Sequence, residues 1–347
     1  MAWWGIAYAN GLDINNSEIT AAEAREAYSA AGEAAKHLAG AMPVEIVLVD
    51  AIQQRYAWPN PEDRKHLDQA YADAMHGAWQ SFSDDPDVGA LFAESLMNLQ
   101  PWDYWEKDGR PKGRASEIVA ALERVMALRP DHPGANHFYI HAVEASSRPE
   151  RGIEAADRLG GLVPGAGHLV HMPAHIYARV GRYDLAADVN ERAIAADKAY
   201  FELAPPPDFY SLYFVHNIHF LTYAAMMEGR YERAMGAARE LEGQIPADFL
   251  EKNVSFADGF MPTPLHVMIR FGRWEEILAE PEPPAFRVFS RAMRHYARGV
   301  ALASLERPQE VHAELDAFLK AAAAVPEDWK VGNNTATAVL AVARQKL

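Results

Sequence analysis

Apolar residues recur at intervals of three and four along almost the whole chain, in alanine-rich segments that proline and glycine interrupt. Residues with this spacing share one face of an α-helix, so the pattern predicts a series of amphipathic helices. No stretch alternates apolar and polar residues for long enough to indicate a strand. The sequence therefore predicts an all-α chain with a loop near 246–260. The clearest helices are expected at about 115–128, 134–146, 149–160, 167–180, 183–203, 210–228 and 231–243.

The chain also repeats itself at two fixed intervals. His137 and His171 are 34 residues apart, and the turn sequence Gly-Arg-Tyr begins at Gly181 and again 48 residues later at Gly229. A repeat of 34 residues is the length of a tetratricopeptide unit, which is a pair of antiparallel helices. The longer interval indicates one such unit with an insertion, which we place in the proline-rich residues 204–208.

Seven of the fourteen histidines lie on three of the predicted helices. Residues separated by three, four or seven positions share a helix face, so each set projects from a single side. Equivalent helices of consecutive repeats are neighbours, at roughly 8–10 Å, and the three faces should lie side by side. We therefore predict one cluster of seven imidazoles and one carboxylate. The sets are His137, His141 and Glu144; His168, His171 and His175; and His216 and His219.

Most of the chain resembles the tetratricopeptide repeat family, and segments such as His-Leu-Val-His-Met-Pro-Ala-His-Ile-Tyr at 168–177 are similar to a bacterial group of that family with no settled activity. The resemblance implies a right-handed solenoid of antiparallel helix pairs. It also implies one domain over residues 1–347, clearest at 115–245, with the histidines in the concave groove where the family binds ligands. Pro173 and Ala174 depart from the family's usual large and small pair.

The histidine pattern favours a transition-metal site. Imidazole is the commonest protein ligand of these metals, and three histidines with an open fourth position suit a catalytic ion. Zinc is the first expectation, and copper, nickel and iron remain alternatives. Glu144 would be a ligand or the general base of the reaction. A histidine pair on one helix is a weak signal, but three sets in register are a strong one.

Two functions of different classes follow from this pattern. The first is a metal-dependent enzyme, a hydrolase or an oxidase, that acts on a small molecule or peptide in the groove. The second is a non-catalytic scaffold that binds a protein or peptide partner there, as most proteins of the resembled family do. Replacing His171 should abolish metal binding and activity in the first case, and should only weaken partner binding in the second.

Five further residues are candidates for substrate contacts. Glu94 and Asn98 would continue the groove stripe on an earlier helix, although a solvated helix face is an equal alternative. Arg179 could bind an anionic group, or simply pair with an acidic neighbour. Tyr223 and His266 occupy equivalent groove positions in later units. The aromatic residues Trp102, Tyr104 and Trp105 would either close one end of the groove or plug the core.

The amino-acid composition limits the classes of binding partner and the cellular compartments to be expected. The formal net charge is -15 and the isoelectric point about 5.4, which argues against nucleic acid and anionic membranes as partners. The absence of cysteine excludes disulfides and thiolate metal sites, and no apolar run is long enough to span a bilayer. We expect a cytoplasmic protein. The sequence begins as if within a repeat, so we also expect an upstream segment, and a targeting signal there would indicate an exported protein instead.

Overall fold

The computed structural model describes residues 1–204 and 210–347, and nearly all regular structure in these ranges is helical. Many consecutive helices pack against each other in pairs, which confirms the predicted all-α chain of neighbouring helix pairs. The predicted insertion at 204–208 lies, except for Ala204, outside the described residues. Contacts divide the chain into two compact units, Met1–Pro164 with His175–Val180 and Gly165–Ala174 with Gly181–Leu347. The single domain and its right-handed course stay predictions.

The first unit is built of helices that join through small side chains. Helix α2, for example, buries five alanines and begins at a capping box formed by Thr20 and Glu23. A short 3₁₀ turn at Pro149–Gly152 precedes the last of these helices. Helices α1 to α8 span, in order, Ala2–Ala9, Ala21–Lys36, Pro43–Gln54, Lys65–Ser81, Pro86–Met97, Ala115–Leu128, Pro133–Val143 and Ile153–Leu162.

The second unit continues the helix-on-helix packing and adds one small β-hairpin. Strands β1 (Lys330–Val331) and β2 (Asn334–Thr335) pair antiparallel before the last helix. Helix α10 begins in this unit and ends in the first. Helices α9 to α20 span, in order, Gly167–His171, Pro173–Arg179, Tyr183–Leu203, Tyr210–Glu228, Tyr231–Gln244, Ala247–Lys252, Val254–Ala257, Thr263–Arg270, Trp274–Ala279, Val288–Ser304, Pro308–Ala322 and Ala336–Lys346.

The repeated Gly-Arg-Tyr sequence marks helix ends, as the sequence indicates. Gly181 and Gly229 have φ angles of 80° and 81°, a left-handed conformation that glycine adopts at little cost. Each lets the chain reverse between two helices, α10 and α11 in one case and α12 and α13 in the other. Within the described ranges, no helix combines the length and the apolar character that a bilayer crossing needs.

The structure differs from the predicted elements in three places. The helix expected at 167–180 is broken after His171, because Pro173 has no amide hydrogen to donate along the helix. The loop expected near 246–260 contains the short helices α14 and α15. Helix α11 has 21 residues, whereas α8 has ten. Part of the extra length of the 48-residue interval therefore lies within α11, and the predicted insertion at 204–208 does not account for all of it.

Candidate metal centre

Helix α7 carries the first pair of histidines, and its start is fixed by a histidine of its own. The Nδ1 atom of His132 accepts a hydrogen bond from the Ala135 amide at 3.0 Å, and its Nε2 donates to Asp87 at 2.9 Å. Pro133 occupies the first helical position, where no amide hydrogen is needed. The cap thus ties α7 to the beginning of α5 and orients the face that holds His137 and His141.

Three histidines and one carboxylate meet in the first unit, and we call this set the Glu144 cluster. The Nε2 atoms of His137 and His141 face each other at 3.0 Å. Glu144 accepts from His141 Nδ1 through Oε1 at 3.3 Å and from His175 Nδ1 through Oε2 at 2.7 Å. One carboxylate therefore orients two imidazole rings that come from different helices.

Glu144 fixes which nitrogen of each of the two rings faces it. Burial alone would raise the pKa of Glu144, but the charge and hydrogen bonds of His175 and His141 outweigh it and hold that pKa well below its usual range. Burial also lowers the pKa of His141, although Glu144 opposes this effect. Glu144 is thus an anion that accepts two N–H bonds, so the Nδ1 atom of each ring carries a hydrogen and Nε2 lies on the side away from the carboxylate.

Trp102 borders the Glu144 cluster in a backbone conformation that is rare outside glycine. Its φ angle is 65°, and its ring meets His141 edge to face at a centroid distance of 4.7 Å. The indole donates to the Ile14 carbonyl at 2.7 Å, which fixes the ring in place. Trp102 remains partly exposed whereas Tyr104 is buried, so the aromatic loop both borders the cluster and fills the core.

A second set, the Asn190 cluster, lies in the second unit and comprises His168, His171, Asn190 and His216. The Nε2 atoms of His171 and His216 face each other at 3.1 Å, and His171 Nδ1 donates to Asn190 Oδ1 at 2.7 Å. The Asn190 amide nitrogen donates to the Ala186 carbonyl at 2.7 Å, so its oxygen must be the atom that faces His171. Asn190 therefore orients the His171 ring by accepting from its Nδ1, as Glu144 orients the His141 ring.

A buried polar network holds α9 against α11 and α12. Asp197 is fully buried and accepts from Tyr210 at 2.8 Å and from Asn217 at 2.9 Å. Burial raises the pKa of Asp197 even though both hydrogen bonds oppose the shift. A Cβ atom on Gly167 would lie 1.8 Å from Asp197 Oδ1, so only glycine allows this close approach. The network sets the position of α9, which carries His168 and His171.

Each cluster contains a pair of histidines whose facing Nε2 atoms are close enough to hold one metal ion. The pairs are His137 with His141, at 3.0 Å, and His171 with His216, at 3.1 Å. His219, which the sequence placed in the same cluster, belongs to neither pair.

The other residues predicted to line the groove in the second unit have side chains that are exposed to solvent. The His219 side chain is exposed and meets the Phe260 ring edge to face at 5.5 Å. His266 is exposed on α16, and the surrounding protein together with His219 lowers its pKa. Tyr223 is also exposed and contacts Tyr183 and Phe220. Their roles in substrate binding stay predictions.

In the first unit, Glu94 and Asn98 face a buried arginine. The side chains of Arg55 and Glu94 are 2% and 3% exposed, with 3.8 Å between Arg55 Nη2 and Glu94 Oε1. Asn98 donates to Glu94, and Arg55 donates to the Leu12 carbonyl. Burial raises the pKa of Glu94, against the charge of Arg55. Arg179, by contrast, is exposed at the end of α10. Substrate contacts of these residues also stay predictions.

Comparisons with known proteins were made at the levels of family, sequence and structure. No protein-family model matches the chain, and no curated protein does. Among solved structures, a human IFIT1 dimer with PPP-AAAA is similar at 11% identity and a TM-score of 0.29, over 86% of this chain and 79% of that one. The chemistry of the two histidine clusters is therefore the guide to function.

Proposed function

We propose that this chain binds one or two transition-metal ions through its histidines and is a metal-dependent enzyme that acts on a small molecule or peptide. The observation that carries the proposal is the pair of facing Nε2 atoms in each cluster, at 3.0 Å between His137 and His141 and at 3.1 Å between His171 and His216. Two nitrogens that bind one tetrahedral zinc at 2.0–2.1 Å are about 3.3 Å apart. Each pair thus needs little movement to share an ion.

The partners of the other ring nitrogens support the same proposal. Histidines that bind metals nearly always donate their second N–H to a carboxylate or carbonyl oxygen, which fixes the tautomer and the ring orientation. His141 and His175 donate to Glu144, and His171 donates to Asn190. Without a metal, each facing pair requires one Nε2 to donate its hydrogen to the other, and a shared ion would replace that hydrogen bond.

The ligand set favours zinc, with copper, nickel and iron as alternatives. Each cluster contains three imidazoles and no thiolate, and three histidines around zinc leave a fourth position for water or substrate. That open position is the basis for proposing an enzyme rather than a purely structural metal site. Both Glu144 oxygens already accept hydrogen bonds from imidazoles, so we assign Glu144 the orientation of His141 and His175 in place of the role of general base.

The test is the metal content of protein that is purified without a histidine tag, incubated with zinc, copper, nickel or iron(II), and then desalted. We expect about one or two equivalents of a single metal, as the two clusters of three histidines allow. The double variant His141→Ala, His171→Ala should lose the metal. The control His312→Ala, which replaces an exposed histidine outside both clusters, should keep it.

Two results would contradict the proposal. One is a wild-type protein that holds no metal after all four incubations, which would leave the groove as a peptide-binding surface. The other is equal metal loss in His312→Ala and in the double variant, which would indicate adventitious surface binding. A metal-loaded protein that hydrolyses or oxidises no substrate in a broad screen would retain the metal site and remove the enzyme assignment.

A further inference from the structure

The second unit contains an aromatic pocket beside the histidines of α12. Its volume is about 590 Å³, which lies within the range of ~300–1,000 Å³ that small-molecule sites occupy. Polar residues such as Lys252 and Asn253 also belong to the lining. The aromatic part of the wall consists of Phe201, Phe214, Phe249, Phe256 and Phe260.

Helix α12 connects this pocket to the histidine-bearing face. Leu212 and Val215 line the pocket, and His216 and His219 follow each of them by four residues, one turn further along the same face. Phe260, on the opposite wall, touches the His219 ring edge to face at 5.5 Å. A ligand that fills the pocket would thus lie one helical turn from His216 and His219.

His219 also has the surroundings of a residue on a cavity wall. Its side chain is accessible to solvent, yet the protein packed around it lowers its pKa. On a convex surface the ring would be exposed, and burial would not lower its pKa. In the core the ring would be shielded from solvent. His219 is thus placed where a bound molecule would replace water against the imidazole.

We infer that the aromatic pocket binds the apolar acyl or aryl body of a small molecule whose polar, metal-ligating end reaches His216. His219 and Phe260 would line the passage between the two ends. This inference rests on the proposed function, because it gives a substrate class to the same histidines. An apolar body suits the five phenylalanines of the lining.

The experiment compares two hydroxamates that differ only in the length of their apolar chain. Hydroxamate chelates zinc, so acetohydroxamate reports on the metal alone and octanohydroxamate reports on the metal and the pocket together. Calorimetric titration of the zinc-loaded protein should give at least about tenfold tighter binding for octanohydroxamate, because seven-carbon burial far exceeds that of one methyl group.

Two variants separate the contribution of the pocket to hydroxamate affinity from the contribution of the metal. Leu212→Trp, which fills the pocket, should bring the affinity ratio of the two hydroxamates close to one without changing the affinity for acetohydroxamate. Val342→Trp, a matched change at an exposed position of α20, should leave the ratio unchanged. A wild-type ratio near one would overturn the inference, and so would a ratio that Leu212→Trp does not change in a protein with wild-type circular dichroism and zinc content.

A metal-free measurement distinguishes failure of this inference from failure of the proposed function. Octanoate should displace the fluorescent apolar probe anilinonaphthalene sulfonate from the metal-free wild type but not from Leu212→Trp. Displacement without any uptake of zinc would overturn the proposed function and the link from the pocket to His216. Zinc uptake without displacement would overturn the pocket as an apolar site and would leave the proposed function intact.

Discussion

Asn190 decides which nitrogen of His171 faces the His216 ring. Its amide is oriented by the Ala186 carbonyl, and its oxygen takes the hydrogen of His171 Nδ1. No periodic signal marks this residue in the sequence, because Asn190 lies on α11 and the histidines lie on other helices. A polar residue among the buried alanines of α11 was the one available sign.

Replacing Asn190 should lower the affinity for metal although no metal ligand is removed. Asn190→Leu keeps the approximate volume but removes the acceptor, so His171 can rotate and change tautomer. We expect zinc affinity to fall about 10- to 100-fold, as for other residues that orient ligands. Competition with a chromophoric chelator measures this effect. Unchanged affinity in a folded Asn190→Leu protein would show that His171 is not a ligand.

Asp197 gives a second prediction at this scale, on pH and stability. Its pKa is raised in the folded state, so the folded protein binds this proton more tightly than the unfolded chain does. The Asp197 contribution to the free energy of unfolding should therefore increase as the pH falls from above the folded pKa to below 3.8, the ordinary value.

Asp197→Asn removes this pH dependence at little structural cost. The new amide can donate to the Tyr210 hydroxyl and accept from Asn217, so both hydrogen bonds are kept. Urea unfolding from pH 7 to pH 3.5 should show wild type gaining stability relative to Asp197→Asn as the solution is acidified. A constant difference between the two proteins across this range would mean that the Asp197 pKa is not raised.

At the scale of elements, the cap of α7 links helix stability to the position of His137 and His141. The imidazole of His132 acts as the N-cap, a role usually filled by Ser, Thr, Asp or Asn. We expect His132→Ala to lower the free energy of unfolding by about 1 kcal/mol, the usual cost of a lost cap. His132→Asn should recover most of this loss, since its side-chain oxygen can accept from the Ala135 amide.

Thermal unfolding of metal-free protein measures both His132 variants. The matched control is His312→Ala, which removes an exposed histidine from the middle of α19 and should change stability little. Equal stability of His132→Ala and His132→Asn would show that the imidazole does not cap the helix. The apparent role of His132 would then reduce to its contact with Asp87.

Helical periodicity predicted the elements and the faces of the histidine helices, because side-chain direction follows from position along a helix. It did not predict which rings would meet. The 48-residue register makes His168 equivalent to His216, yet the facing ring of His216 is that of His171, one turn further along. Side chains lean towards the N-terminus of their helix and packed helices are tilted, so equivalent positions need not touch.

The surroundings of the clusters were harder to predict for a different reason. Trp102 reaches His141 from a loop whose φ angle of 65° follows no sequence rule, since the residue is not a glycine. Glu94 was predicted on an open helix face, but its carboxylate is buried beside Arg55, more than thirty positions away in the chain. Contacts between distant segments leave no local pattern, so only the structure shows them.

At the scale of the whole molecule, the proposed function depends on imidazole nitrogens as metal ligands. We propose that the three imidazoles of each cluster, oriented by Glu144 and Asn190, bind transition-metal ions. The strongly acidic chain, with a net charge of -15, would also attract cations in general, so metal content alone does not identify the ligands.

X-ray absorption spectroscopy at the zinc edge tests this claim most directly. The zinc-loaded wild type should show about three imidazole nitrogens per ion at 2.0–2.1 Å, with a further light atom from solvent. The imidazole signal should fall in His141→Ala and His171→Ala and persist in His312→Ala. A first shell made mainly of oxygen, with one imidazole or none per zinc ion, would contradict the account.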